Sequence, residues 1–165
     1  MNENKFRLLK ADIQVEIENL SRLKEEIEEL IASIKREPSN IELRAMGSIL
    51  HDFYCGVERI FERIAIDIDG EIPKGAEWHT QLLIRMGAEI ESIRPAVISR
   101  KFQNQLKEYL RFRHLFRNIY GFELEWRKNQ DLVNSVPELY TKFRTEITTF
   151  FEFIDTLTKE TTSGT

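Results

Sequence analysis

The chain has one cysteine, Cys55, in 165 residues, so no internal disulfide framework exists. Cys55 lies among apolar residues and reads as a buried small hydrophobe. There is no cysteine pair, no His-Glu-x-x-His and no carboxylate cluster at metal-ligand spacing, and the Glu-x-x-His pairs of di-iron bundles are missing. Those absences argue against a metal site. No glycine-rich phosphate loop appears either, and no cofactor is expected. No apolar run is long enough to span a bilayer. The start Met1-Asn2-Glu3-Asn4-Lys5 lacks the apolar stretch of a signal peptide. The expectation is a cytoplasmic protein with no membrane partner. Apolar residues nowhere alternate with period two for long, so strands are not expected. Internal repeats and low-complexity tracts are absent too.

What is present suits a folded soluble domain. Charged residues make up 32% and aromatics 10% of the chain. The net charge of −4 excludes a uniformly basic nucleic-acid binder. The distribution is uneven. From Arg94 to Arg117 there are seven basic residues (Arg94, Arg100, Lys101, Lys107, Arg111, Arg113, Arg117) against one acid, Glu108. A basic stripe on an acidic body suits RNA, DNA, a nucleotide or an acidic partner; it also suits a solvated helix face balanced by acidic neighbours.

Helical spacing dominates. Phe6, Leu9, Ile13, Ile17, Leu20, Leu23, Ile27, Leu30 and Ile34 recur at steps of three and four, which predicts one long amphipathic helix. Pro38-Ser39-Asn40 ends it, and Ser39 or Asn40 can cap the next. Ile49, Phe53, Val57, Ile60, Ile64 and Ile68 form a second stripe, with Gly70 as its C-cap. Residues 71–77 read as a loop. Trp78 to Ile93 predicts a third helix, with Leu82, Leu83, Met86 and Ile90 inward. Pro95 interrupts. Phe102, Leu106, Tyr109, Leu110 and Phe116 belong to a fourth helix, which Gly121 loosens or ends. Pro137 is expected to open a last helix reaching about Lys159, with Leu139, Phe143, Ile147, Phe150 and Ile154 inward. The predicted architecture is all-α: an up-and-down antiparallel bundle of four to five helices. A single domain over residues 1–160 is expected, followed by a flexible tail over 161–165.

The end of the fourth helix carries the chemistry. Residues 110–124 hold Arg111, Arg113, Arg117, His114, Asn118 and Tyr120 among aromatics. Arg113 and Arg117, four apart, are expected to share a face. Arg113 and Tyr120, seven apart, fall within roughly 20° around an ideal helix. His114 and Asn118 form a neighbouring pair. Guanidinium, imidazole, amide and phenol together are equipment for gripping phosphate and moving a proton. A solvated basic face with aromatics turned inward has the same composition. Elsewhere, His51 and Cys55 form an i,i+4 pair, but apolar neighbours there raise a thiol pKa rather than lower it. His79, at a helix start, reads as a capping or packing histidine rather than a catalyst.

Phe112-Arg113-His114-Leu115-Phe116-Arg117-Asn118-Ile119-Tyr120 resembles the signature of HEPN domains, most closely the HepT-like toxins. Their pattern is Arg, a polar residue, three variable residues, His, one variable residue, then Tyr. Upstream, Gly56-Val57-Glu58-Arg59-Ile60-Phe61, residues 69–75, Trp78-His79 with Leu82, Leu83 and Met86, and Arg94-Pro95-Ala96-Val97 look like the same group. The resemblance covers Gly56 to Trp126. It implies an all-helical bundle that pairs as a homodimer, bringing two signature helices together. It also implies a metal-independent endoribonuclease acting on RNA, the toxin partner of a small nucleotidyltransferase antitoxin. In this pattern Arg113 carries over as the phosphate-binding arginine and His114 as its polar neighbour. Tyr120 carries over as the tyrosine that such an antitoxin adenylylates.

One position departs from the pattern. Asn118 stands where the family has its catalytic histidine, and an amide does not titrate near neutral pH. Asn118 can still hydrogen-bond a phosphate or a 2′-hydroxyl. His114, one turn earlier, is a candidate substitute. Three readings follow: a weakened ribonuclease, a catalytically inactive HEPN module binding nucleic acid or a nucleotidyltransferase, and a helical adaptor whose arginines serve only inter-helix ion pairs.

Overall fold

The apolar stripes become the inner faces of four long helices, with a fifth, short one wedged beside them. The computed structural model describes residues 3–163. Helix α1 spans Glu3–Ser33, α2 Asn40–Ile64, α3 Trp78–Met86, α4 Arg100–Asn118 and α5 Trp126–Ser163. Two short turns complete the set, a wide π turn over Ala65–Asp69 and a 3₁₀ turn over Gly121–Glu123. No strand forms among the described residues; Ile90 and Arg94 make only an isolated bridge.

The cross-helix contacts give the directions. On α1 and α2, Asp12 meets Arg63 and Glu16 meets Arg59, so one index rises as the other falls. Lys10 with Asp155 and Lys24 with Tyr140 set α5 antiparallel to α1. Phe53 with Tyr109 and His51 with Phe116 set α4 antiparallel to α2. Phe102 with Phe143, and the Tyr109 hydroxyl donating to the Leu132 carbonyl at 2.8 Å, set α5 antiparallel to α4. The result is the up-and-down bundle the sequence predicts.

Phe6, Leu9, Ile13, Ile17, Leu20 and Ile27 of α1 are buried, as is the whole expected stripe of α2. Each such side chain contributes about 1.5–3 kcal/mol of transfer free energy. Ser39 caps α2: its hydroxyl accepts from the Glu42 amide and the Glu42 carboxylate accepts from the Ser39 amide, both at 3.2 Å. Gly70 closes the following π turn at φ 91°, a left-handed geometry that suits glycine.

Three expectations are corrected. Helix α3 stops at Met86 instead of Ile93. Gly87 is its C-cap, and the missing Cβ leaves room for the Gln103 side chain, whose Oε1 would lie 2.0 Å from an added Cβ. Arg94 then folds back and donates to the carbonyls of Arg85 and Ala88, at 3.3 and 3.0 Å, closing the end of α3. Helix α5 starts at Trp126, and Pro137 lies inside it. Proline removes one backbone bond and costs about 3 kcal/mol in a helix interior. Buried Val133, Val136, Leu139 and Tyr140 on either side hold the helix through it. Cys55 is only half-buried, with Sγ 3.8 and 3.9 Å from the two ring nitrogens of His51. The tail expected from 161 falls partly in the last residues of α5, and 164–165 lie outside the described residues.

Candidate active site at the junction of α2, α3 and α4

A buried carboxylate organises this region. Glu58 sits on the inner face of α2 with a relative exposure of 5%. An isolated carboxylate there would be costly, so it needs partners. His79, in the first turn of α3, approaches with Nδ1 at 2.8 Å from Glu58 Oε2. Arg113, from the last turns of α4, places Nη2 at 3.8 Å from Glu58 Oε1. Three helices thus meet at one side chain. The Trp78 ring lies over His79 with centroids 3.7 Å apart, and His114 meets His79 edge-on at 5.7 Å. Tyr54, one turn before Glu58, is fully buried. Burial, with Glu58 adding to it, pushes its phenol far above the usual range. Burial and the negative charge of Glu58 also raise the carboxyl of Glu62. Burial first, then the Arg113 guanidinium and His79, hold the His114 imidazole below the usual histidine range.

Two buried arginines behave differently. Arg94 uses all its donors: Nε and Nη2 bind Asp69 at 2.5 and 2.9 Å, Nη1 donates to Ala88 and Pro95, and Nη2 also to Arg85. It is a structural clamp and drops out of the basic stripe. Arg113 is nearly as buried, yet Nε and Nη1 have no hydrogen-bond partner. A buried donor without a partner costs about 1–3 kcal/mol, more when charged. Such groups are uncommon in folded proteins, and a pair of them on one buried guanidinium leaves it able to take up an anion or water.

The other expected site residues scatter. Arg113 and Arg117 do not share an environment, since Arg113 turns inward and Arg117 is exposed. Arg111 points outward and pairs with Glu108 at 2.7 Å. The Asn118 amide donates to the His114 carbonyl at 2.6 Å, closing the last turn of its own helix. Tyr120 does not continue the helix face of Arg113. The backbone turns extended at Ile119 (φ −123°, ψ 161°), because α4 ends at Asn118. Tyr120 is 71% exposed and stacks on Phe122 with centroids 5.2 Å apart. Of the expected set, then, the fold brings Arg113 and His114 to the cluster. Glu58 and His79 are the members that helical spacing does not single out. His79 does not cap α3, which lacks a side-chain cap, and does more than pack. Both lie in segments that carried the family resemblance, and that was the signal available.

A family model described as HepT-like protein matches residues 45–154, from early α2 to late α5. The chain belongs to the HepT-like family. That assignment takes in all of α3 and α4 and every member of the cluster around Glu58. It reaches further along α5 than the motifs from Gly56 to Trp126, and it leaves α1 outside. Comparison with curated proteins and with solved structures found no match. Among the described residues, no helix of this HepT-like protein is long and apolar enough to cross a membrane.

Proposed function

We propose that this HepT-like protein is a metal-independent endoribonuclease of low activity, the toxin component of a pair with a small nucleotidyltransferase. The observation that carries the reading is Arg113: a buried guanidinium with two unused donors, beside two imidazoles. Guanidinium is suited to phosphate oxygens through charge-assisted hydrogen bonds. Low activity follows from Asn118, whose amide cannot exchange a proton and is occupied with the His114 carbonyl.

In this reading the protein works as a two-fold homodimer. The end of α4 leaves Leu115, Tyr120 and Phe122 exposed, at 50%, 71% and 61%. That is apolar surface at and just beyond the end of α4, of the kind subunit contacts cover. Exposed Tyr120 is also open to a modifying enzyme, which suits an antitoxin that adenylylates it.

A second reading has a specific observation in its favour. Arg113 lies inside the fold and next to a carboxylate, and Asn118 is used as a cap. Both suit an inactive HEPN module that binds nucleic acid or a nucleotidyltransferase without cutting RNA. The deciding experiment is cleavage of RNA by purified wild type and Asn118→His, with and without EDTA. The ribonuclease reading expects slow, EDTA-resistant cleavage by the wild type. It expects a gain on the order of 10²-fold for Asn118→His, the usual scale of acid–base assistance. No cleavage by either folded protein leaves the inactive module as the function.

A further inference from the structure

We propose that His79, oriented by Glu58, is the proton-accepting imidazole of this site. The inference rests on the ribonuclease reading above.

The geometry starts at the 2.8 Å contact between His79 Nδ1 and Glu58 Oε2. A carboxylate at Nδ1 holds the ring proton there and leaves the Nε2 lone pair free to accept another. It also stabilises the imidazolium once formed, as in acid–histidine pairs of hydrolases. The Trp78 ring, 3.7 Å away, limits rotation of the imidazole. The His79 side chain is 14% exposed, so the ring reaches solvent while its orienting carboxylate does not. The other oxygen of the same carboxylate faces Arg113 at 3.8 Å. One buried group therefore sets the spacing between the phosphate-gripping side chain and the base. His114 has no such support: no carboxylate holds its ring, and it meets the cluster only through the edge of His79.

The step balances without a metal or redox partner. The RNA 2′-hydroxyl attacks the adjacent phosphorus and gives its proton to His79 Nε2. The O2′–P bond forms and the P–O5′ bond breaks. The 5′ oxygen leaves with a proton from water, and the imidazolium returns its own to solvent. Products are a 2′,3′-cyclic phosphate and a 5′-hydroxyl.

The test compares RNA cleavage by wild type, His79→Ala, His114→Ala and Glu58→Gln, each checked for helix content and cooperative melting. His79→Ala is expected to lose about 10²–10⁴-fold, to lose more than His114→Ala, and to recover on addition of free imidazole. Glu58 is a positioning residue, and its readout is the pH profile. The titratable groups that act on His79 are Glu58 and Glu62 from α2 and His114 from α4, with the Arg113 guanidinium on the other oxygen of Glu58. Replacing the closest negative charge makes the imidazolium harder to form. The rising limb of kcat/KM against pH then moves to lower pH in Glu58→Gln. A wild type that cleaves, with His79→Ala cleaving equally well, overturns the role of His79 and leaves the ribonuclease reading standing. A limb that stays in place in Glu58→Gln overturns that role in the same way. A wild type that cuts no RNA overturns both.

Discussion

Replacing Arg94 and Arg113 in turn by methionine separates a structural arginine from one kept for function. Methionine preserves the length of the stem and deletes the charge. At position 94 the change strips Asp69, only 3% exposed in its side chain, of a bidentate partner and frees three carbonyls. Breaking a buried pair from one side costs about 3–5 kcal/mol. At position 113 the terms oppose one another. The charge pair at 3.8 Å has a gross attraction of about 4 kcal/mol at an effective dielectric near 20. Against it stand two unmade hydrogen bonds at about 1–3 kcal/mol each, the desolvation penalty of those donors. Glu58 also keeps His79. The net change expected for Arg113→Met is within about 2 kcal/mol of zero, of either sign. Urea unfolding at pH 7, followed by helix signal, measures both. For a chain of this size the Arg94→Met loss corresponds to a drop in Tm on the order of 10 °C. Unchanged m-values are required for the comparison. If Arg113→Met falls as far as Arg94→Met, Arg113 is a structural clamp too, and the phosphate-binding assignment loses its basis.

Three further outcomes are expected. The His114 imidazole titrates below its ordinary value of 6.5, because burial, Arg113 and His79 disfavour its charged form; histidine NMR should show this, with the midpoint rising in Arg113→Met. The unfolded chain then binds that proton more tightly than the folded one. The His114 contribution is therefore full above the ordinary histidine pKa and is lost as pH falls from there through the lower folded-state pKa; stability rising on acidification through that range, after correction for other groups, would contradict the assignment. Co-expression with a neighbouring nucleotidyltransferase should add one adenylyl mass to the protein, and an adduct that persists in Tyr120→Phe refutes Tyr120 as the target. Light scattering at micromolar concentration should give a dimer; substituting exposed Leu115 by Asp should shift it toward monomer, and a wild-type monomer would sink the homodimer.

The sequence by itself determined the helices whose apolar residues recur without interruption. For α1 and α2 every turn offers a residue to the core, so spacing alone locates the buried face, and Ser39 with Glu42 marks the start of α2 chemically. The family was legible as well, because short ordered motifs survive without any contact being known. What tertiary structure decided were the ends and the partners. Helix α3 stops where Gly87 meets Gln103, a contact sixteen positions away, and α5 runs through Pro137 because flanking residues on both sides are buried. Neither fact is local, so neither is visible in a helical pattern. The functional cluster shows the same limit. A helical wheel ranks Arg113 with Arg117 and Tyr120, since it knows only angles about one axis. The fold turns Arg113 inward to Glu58, leaves Arg117 in solvent and ends α4 before Tyr120. Glu58 and His79 are twenty-one positions apart on different helices. Their pairing exists only because burial of a carboxylate demands a partner, and the packing of α3 against α2 supplies one.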